Sequence, residues 1–117
     1  MPSNKKYDLE ERTFNFTLNV RDYVNDLPRK LTGAEIGKQL IRSAGSVGAN
    51  YIEANESLSK KDFLMRIKIC RKEAKETKYW LRLSEPRNGF TNLKLHLITE
   101  SDELMKIFAA ILNKVKV

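Results

Sequence analysis

Residues 59–85, SKKDFLMRIKICRKEAKETKYWLRLSE, place Phe63, Ile67, Cys70, Ala74, Thr77 and Leu81 at alternating spacings of four and three. An α-helix returns to the same face about every 3.6 residues, so these six side chains form one continuous seam, the pattern of a helix packed in an antiparallel bundle. Ser59 stands where such a helix needs a cap, and Asp62, three residues on, makes an acidic form of the capping box. Pro86 and the Asn88-Gly89 pair mark the link that follows.

The same rhythm recurs on either side. Leu9, Thr13, Phe16, Val20, Tyr23 and Leu27 form a seam ahead of Pro28, with Asp8 as candidate cap and Glu10 and Glu11 facing the positive end of the helix dipole. Leu40, Ala44, Val47, Tyr51 and Ala54 form a second. Leu93, Leu97, Leu104, Ile107 or Phe108, Ile111 and Val115 form the last. The spacing predicts helices over about 9–27, 32–56, 59–85 and 91–115, and no stretch alternates with the period of a strand. Short links force successive helices to run antiparallel. The expectation is all-α: one domain, 1–117, folded as an elongated up-down-up-down four-helix bundle, its longest helix roughly 40 Å.

Composition removes several function classes. The longest apolar run, Ile107–Leu112, falls far short of the roughly 20 residues of a membrane span. The opening MPSNKKYDLEE has no apolar core after its lysines, so it reads as neither a secretory signal nor a lipidation site, and a cytoplasmic location is expected. Cys70 is the single cysteine and has no histidine at ligand spacing, which excludes an internal disulfide and a zinc framework. On a core seam its thiol is a small hydrophobe. His96, the single histidine, faces Leu93 and the neighbours of Met105 more than any acid. No nucleophile has a recognisable base at fixed spacing, so no catalytic activity and no cofactor are expected.

The charge is more informative. Of a net +7, residues 60–87 hold 10 Lys/Arg against 4 Asp/Glu, leaving nearly all of the excess in one segment. One step past the seam of the third helix run Lys61, Lys68, Arg71, Lys75, Lys78 and Arg82, with Lys72 beside them. The spacing of the six in the row keeps them on one face, without the acids at i+4 that usually dilute a solvated lysine face. Such a row can track a phosphate backbone, RNA or DNA, releasing counterions as it binds. No sequence-reading motif accompanies it, and Tyr79 and Trp80 read first as core or interface residues.

Residues 43–50, SAGSVGAN, pose a different problem. Gly45 and Gly48 share a stripe with Ile41 and Ile52, and each glycine costs around 1 kcal/mol against alanine inside a helix. Close approach by a neighbouring backbone, or by a large side chain such as Trp80, is the expected return, with a local kink as the alternative. The adjacent stripe of Arg42, Ser46, Asn50 and Glu53 flanks the core, where polar groups need partners. Glu73 and Glu76 on the third helix can supply them, so an Arg42 pair with either carboxylate, with Ser46 and Asn50 bonded alongside, is expected to set helix register. Catalysis by those carboxylates would need a cleft that such bundles seldom leave.

The run QLIRSAGSVGANYIEANESLSKKDFLMRIKICRKEAKETKYWL, residues 39–81, resembles the family of four-helix bundle proteins encoded in intervening sequences of bacterial 23S ribosomal RNA genes. Similar chains serve as accessory subunits beside reverse transcriptases in diversity-generating retroelements. Arg42, Ser46, Asn50, Glu53, Ser59, Lys61, Phe63 and Glu73 carry the resemblance, and the helix layout extends it over about residues 7–116. Gly48 stands where many members have proline, and Ala54 where they have glycine, which makes the second helix more continuous here. The resemblance implies a homo-oligomeric bundle, typically a ring of five, with a role in nucleic-acid binding.

A competing class is a protein-interaction scaffold or accessory subunit that does not touch nucleic acid. Apolar residues remain on second faces: Phe14, Leu18 and Val24; Leu64, Met65, Ile69 and Leu83; Leu95, Ile98, Met105 and Leu112. Surplus of this kind favours self-association.

Overall fold

The computed structural model describes residues 5–115; the reading of the first four residues as part of neither a signal nor a lipidation site lies outside them. Four helices follow one another: α1 (Lys5–Asn25), α2 (Leu31–Asn55), α3 (Lys60–Leu83) and α4 (Thr91–Val115). The first differs from expectation at both ends. It begins at Lys5, so Asp8 lies inside the first turn and does not cap it. It stops before Leu27, because the residue preceding a proline is pushed out of helical geometry; Asp26 and Leu27 instead donate to the Tyr23 and Val24 carbonyls in tight turns.

Ser59 caps α3 as its sequence suggests, its hydroxyl accepting from the Asp62 amide at 3.1 Å. At the other end of α3, Ser84 ties three helices together. The Leu81 carbonyl accepts from Ser84 Oγ at 2.6 Å, so the Tyr23 hydroxyl, also 2.6 Å away, donates to the serine. Lys94 Nζ of α4 donates to the Ser84 carbonyl at 2.8 Å. Gly89 then reverses the chain with φ +95°, a conformation that disfavours any side chain.

Cross-helix contacts show the antiparallel order directly. Between α1 and α2, Thr17 Oγ1 donates to the Ala44 carbonyl at 3.0 Å, while Asn55 donates to Glu10 at 3.0 Å. Between α2 and α3, Cys70 Sγ donates to the Val47 carbonyl at 3.4 Å, and Thr77 Oγ1 lies 2.8 Å from Ser43 Oγ. Helices α2–α3 and α3–α4 pack most extensively and α1–α4 least. The result is an elongated bundle, 46 × 31 × 20 Å.

Its core is the set of seams. All six residues of the first seam, five on α1 and Leu27 in the turn after it, all five of α2 and all but half-buried Phe63 of α3 are buried. On α4 the seam is Leu97, Ser101, Leu104, Phe108 and Leu112, so Phe108 and not Ile107 faces inward, and Leu112 replaces Ile111. Ser101 conceals this register in the sequence because it is polar. Its hydroxyl donates back to the Leu97 carbonyl at 2.9 Å, which lets it occupy a core position without an unmet donor.

Glycine placement also departs from expectation. A Cβ at Gly48 would lie 3.4 Å from Thr13 Oγ1, so the close neighbour is α1 and not Trp80. A Cβ at Gly45 would meet nothing within 4 Å. That half of the pair faces open space.

Candidate nucleic-acid interface

Helix α3 turns its seam inward and leaves the opposite side to solvent. Lys61, Lys68, Arg71, Lys72, Lys75 and Arg82 are exposed there. Lys78 departs from the row: it is half-buried, and its Nζ lies 2.8 Å from Asp102 Oδ1 of α4. Its charge is neutralised by a carboxylate that lies 24 residues along the chain, beyond the reach of any i+4 rule.

The central cations share a groove with α4. Lys68, Arg71, Lys72 and Lys75 line one wall; Met105, Lys106 and Ala109 line the other, around a volume of about 560 Å³. Among the described residues none of those four α3 cations is in an ion pair, whereas Lys106 has Glu103 at 3.5 Å. Sequence reasoning missed Lys106 because it belongs to another helix, and only the antiparallel register brings it opposite α3.

A second basic concavity, about 670 Å³, lies where α1 turns into α2, with Arg29, Lys30, Lys38 and Arg42 around an apolar floor that includes Val24, Leu27 and Ile41. Two of these cations have carboxylate neighbours, Lys38 with Glu35 at 3.5 Å and Arg42 with Glu76 at 3.9 Å. The α3–α4 groove therefore holds the denser free positive charge.

The polar stripe of α2 is assembled differently from expectation. Arg42 reaches Glu76 only at 3.9 Å, and with side chains 71% and 32% exposed this is a loose surface pair. Asn50 donates within its own helix to Ser46, to the carbonyl at 2.9 Å and to Oγ at 3.0 Å. The bond across to α3 comes from Arg66, whose Nη1 donates to Asn50 Oδ1 at 2.9 Å. Glu76 instead accepts from Trp80 Nε1 at 3.3 Å. Glu53 is exposed and outside this cluster, and Glu73 is buried with no hydrogen bond to its carboxylate among the described residues. Residue type alone pointed to Arg42; Arg66 wins because it stands opposite Asn50.

Two residues with chemical potential are placed as follows. Cys70 is fully buried, and burial pushes its thiol up to about 12, far from a nucleophilic thiolate. His96 is exposed and lines a groove of about 400 Å³ between α1 and α4 together with Asp8, Glu11 and Glu100, so it shares its surroundings with acids, contrary to the sequence reading. Across that seam Arg12 makes two bonds to Glu100, at 2.7 and 2.8 Å, and this hydrogen bonding raises the guanidinium above its ordinary value. Among the described residues no cluster of three or more His, Cys, Asp or Glu is arranged to hold a metal ion, and no helix is long and apolar enough to cross a membrane.

Comparison with known proteins agrees with this architecture. The family model described as 23S rRNA-intervening sequence protein matches residues 5–110. The 1.70 Å crystal structure of a protein of unknown function from the S23 ribosomal protein family of Bacteroides thetaiotaomicron VPI-5482 is similar with a TM-score of 0.77 and 28% identity. The match covers 88% of this chain and 96% of that one. No curated protein matches.

Proposed function

Because the chain belongs to the family of 23S rRNA-intervening sequence proteins, we propose that it is a non-catalytic, cytoplasmic, homo-oligomeric bundle that binds nucleic acid through the basic face of α3. The observation that carries the reading is the groove in which Lys68, Arg71, Lys72 and Lys75 stand exposed without ion-pair partners among the described residues. Four unneutralised cations along about two turns of helix repel one another unless an anion lies between them. A polyanion satisfies them together and gains entropy from the counterions it releases. Self-association is supported by Phe14, Ile52 and Leu95, each more than half exposed on a different helix. A ring of five, as the family resemblance implies, would repeat the groove about its axis and raise affinity by avidity.

The test is a fluorescence-anisotropy titration with structured RNA and with duplex DNA over a range of salt, on the wild type and on a variant with Lys68, Arg71, Lys72 and Lys75 changed to glutamate. Its oligomeric mass is checked first. Salt-steep binding that the variant loses supports the proposal. No binding at low salt overturns it in favour of a second reading, a protein-interaction scaffold, for which the same exposed apolar side chains are the favouring observation.

A further inference from the structure

The outward stripe of α3 is not purely basic. Tyr79 follows Lys72 by seven residues, Lys68 by eleven and Lys61 by eighteen, close to two, three and five helical turns, so the four side chains leave the helix in nearly one direction. Lys75 lies one turn before it. Tyr79 is 56% exposed, and Met65 and Leu83, 50% and 51% exposed, stand at the edge of the same stripe. By type and position Tyr79 and Trp80 read alike as core or interface residues; the structure separates them.

Trp80 packs half-buried against the core and donates its indole N–H to Glu76 at 3.3 Å. Its ring meets the Tyr79 ring at 5.1 Å and 83°, an edge-to-face contact. The indole thus buttresses the phenol while more than half of the tyrosine stays in water. An exposed aromatic held by a fixed neighbour, one turn from a lysine row, has two surfaces to offer: a flat apolar ring and a line of cations. A duplex can use only the second, because its base faces are stacked inside. A strand with unstacked bases can use both, phosphates on the lysines and a base on the ring.

Resting on the nucleic-acid reading above, we infer that the ligand of this face is a single strand, RNA or DNA, with Tyr79 as a stacking platform at the end of the Lys61–Lys75 cation row. Such recognition is independent of sequence, since every base presents a ring face.

The experiment titrates fluorescein-labelled thymidine and uridine homopolymers, and a mixed-sequence duplex of equal length, with the wild type and with Tyr79→Ala, Tyr79→Phe and Tyr79→Trp, after their oligomeric masses have been compared. Emission from Trp80, the single tryptophan of the chain, reports stacking next to it in the proteins that retain only that indole. The wild type is expected to prefer the single strands. Tyr79→Ala should weaken single-strand binding by about 5-fold or more and leave duplex binding and the salt slope unchanged, with Phe and Trp restoring affinity. Equal affinity for duplex and single strand, indifference to Tyr79→Ala, or a changed oligomeric mass in Tyr79→Ala each overturns the inference while leaving the basic groove intact as a binder. No binding to any probe is the distinct result that overturns the nucleic-acid reading itself, and the inference with it.

Discussion

Two glycines of α2 are expected to respond to alanine in opposite directions. Gly45 lies in the helix interior without positive φ, and a Cβ there meets nothing within 4 Å. Gly45→Ala therefore removes the backbone-entropy cost of glycine, about 1 kcal/mol, with no steric return. For a chain of 117 residues at about 2.1 cal/mol/K per residue, the unfolding entropy is about 250 cal/mol/K. Dividing the two gives a rise in Tm of about 4 °C. At Gly33, the third residue of α2, a Cβ would lie 2.6 Å from the Pro28 carbonyl oxygen. That oxygen belongs to the backbone of the turn and cannot rotate aside, so the clash, about 2 kcal/mol, outweighs the propensity gain of about 1 kcal/mol. A fall in Tm of about 4 °C is expected for Gly33→Ala. Both are measured by circular dichroism melting at one protein concentration, because association shifts Tm by mass action. A Gly45→Ala variant that melts lower would refute the reasoning, and would mean that something in solution occupies the space beside residue 45.

Arg42→Ala is expected to change urea stability by under about 1 kcal/mol, because its pair with Glu76 is long and exposed. Thr77→Val should cost about 1–2 kcal/mol: the Glu73 carbonyl can only accept, so Thr77 donates to it and accepts from Ser43, whose remaining acceptor is the Leu40 carbonyl at 3.4 Å. The reverse ranking would contradict the placement of the α2–α3 register in the buried hydroxyls. Lys78→Ala is expected to leave the salt dependence of nucleic-acid binding unchanged, since Asp102 already neutralises it; alanine at Lys68, Arg71, Lys72 and Lys75 together should flatten the log–log salt slope by about 3 units. Cys70 has its thiol raised to about 12 from the ordinary 9.0. The unfolded thiol ionises first, so stability is full below pH 9 and falls as pH rises towards 12, by at most about 1.4 kcal/mol per unit. Urea midpoints that fall equally between pH 8 and 10 in wild type and Cys70→Ala would count against this. The comparison is needed because burial also raises Tyr23 and Tyr51.

The heptad rhythm, the Ser59 cap and the turn at Asn88-Gly89 were legible in the sequence because each is local: helical period, a side chain bonding an amide three residues on, and a backbone conformation that suits glycine. The exposed side of α3 was legible for the same reason, since a helix that buries one stripe exposes its opposite. The α4 register was lost at Ser101, where a polar residue meets its hydrogen-bonding need inside its own helix and passes as a surface position.

What belonged to the tertiary structure alone is every feature that depends on which residue of one helix stands across from which residue of another. Local period fixes the direction in which Lys78 and Lys72 leave α3, but not that Asp102 waits for the first and open groove for the second. It sets Gly45 and Gly48 on one stripe, but not that Thr13 approaches only one of them. Arg66 opposite Asn50, Lys106 opposite the α3 cations, and Tyr79 exposed beside a half-buried Trp80 arise the same way. The axial shift and rotation of each helix come from the summed packing of all four seams, and no short stretch of sequence contains that sum.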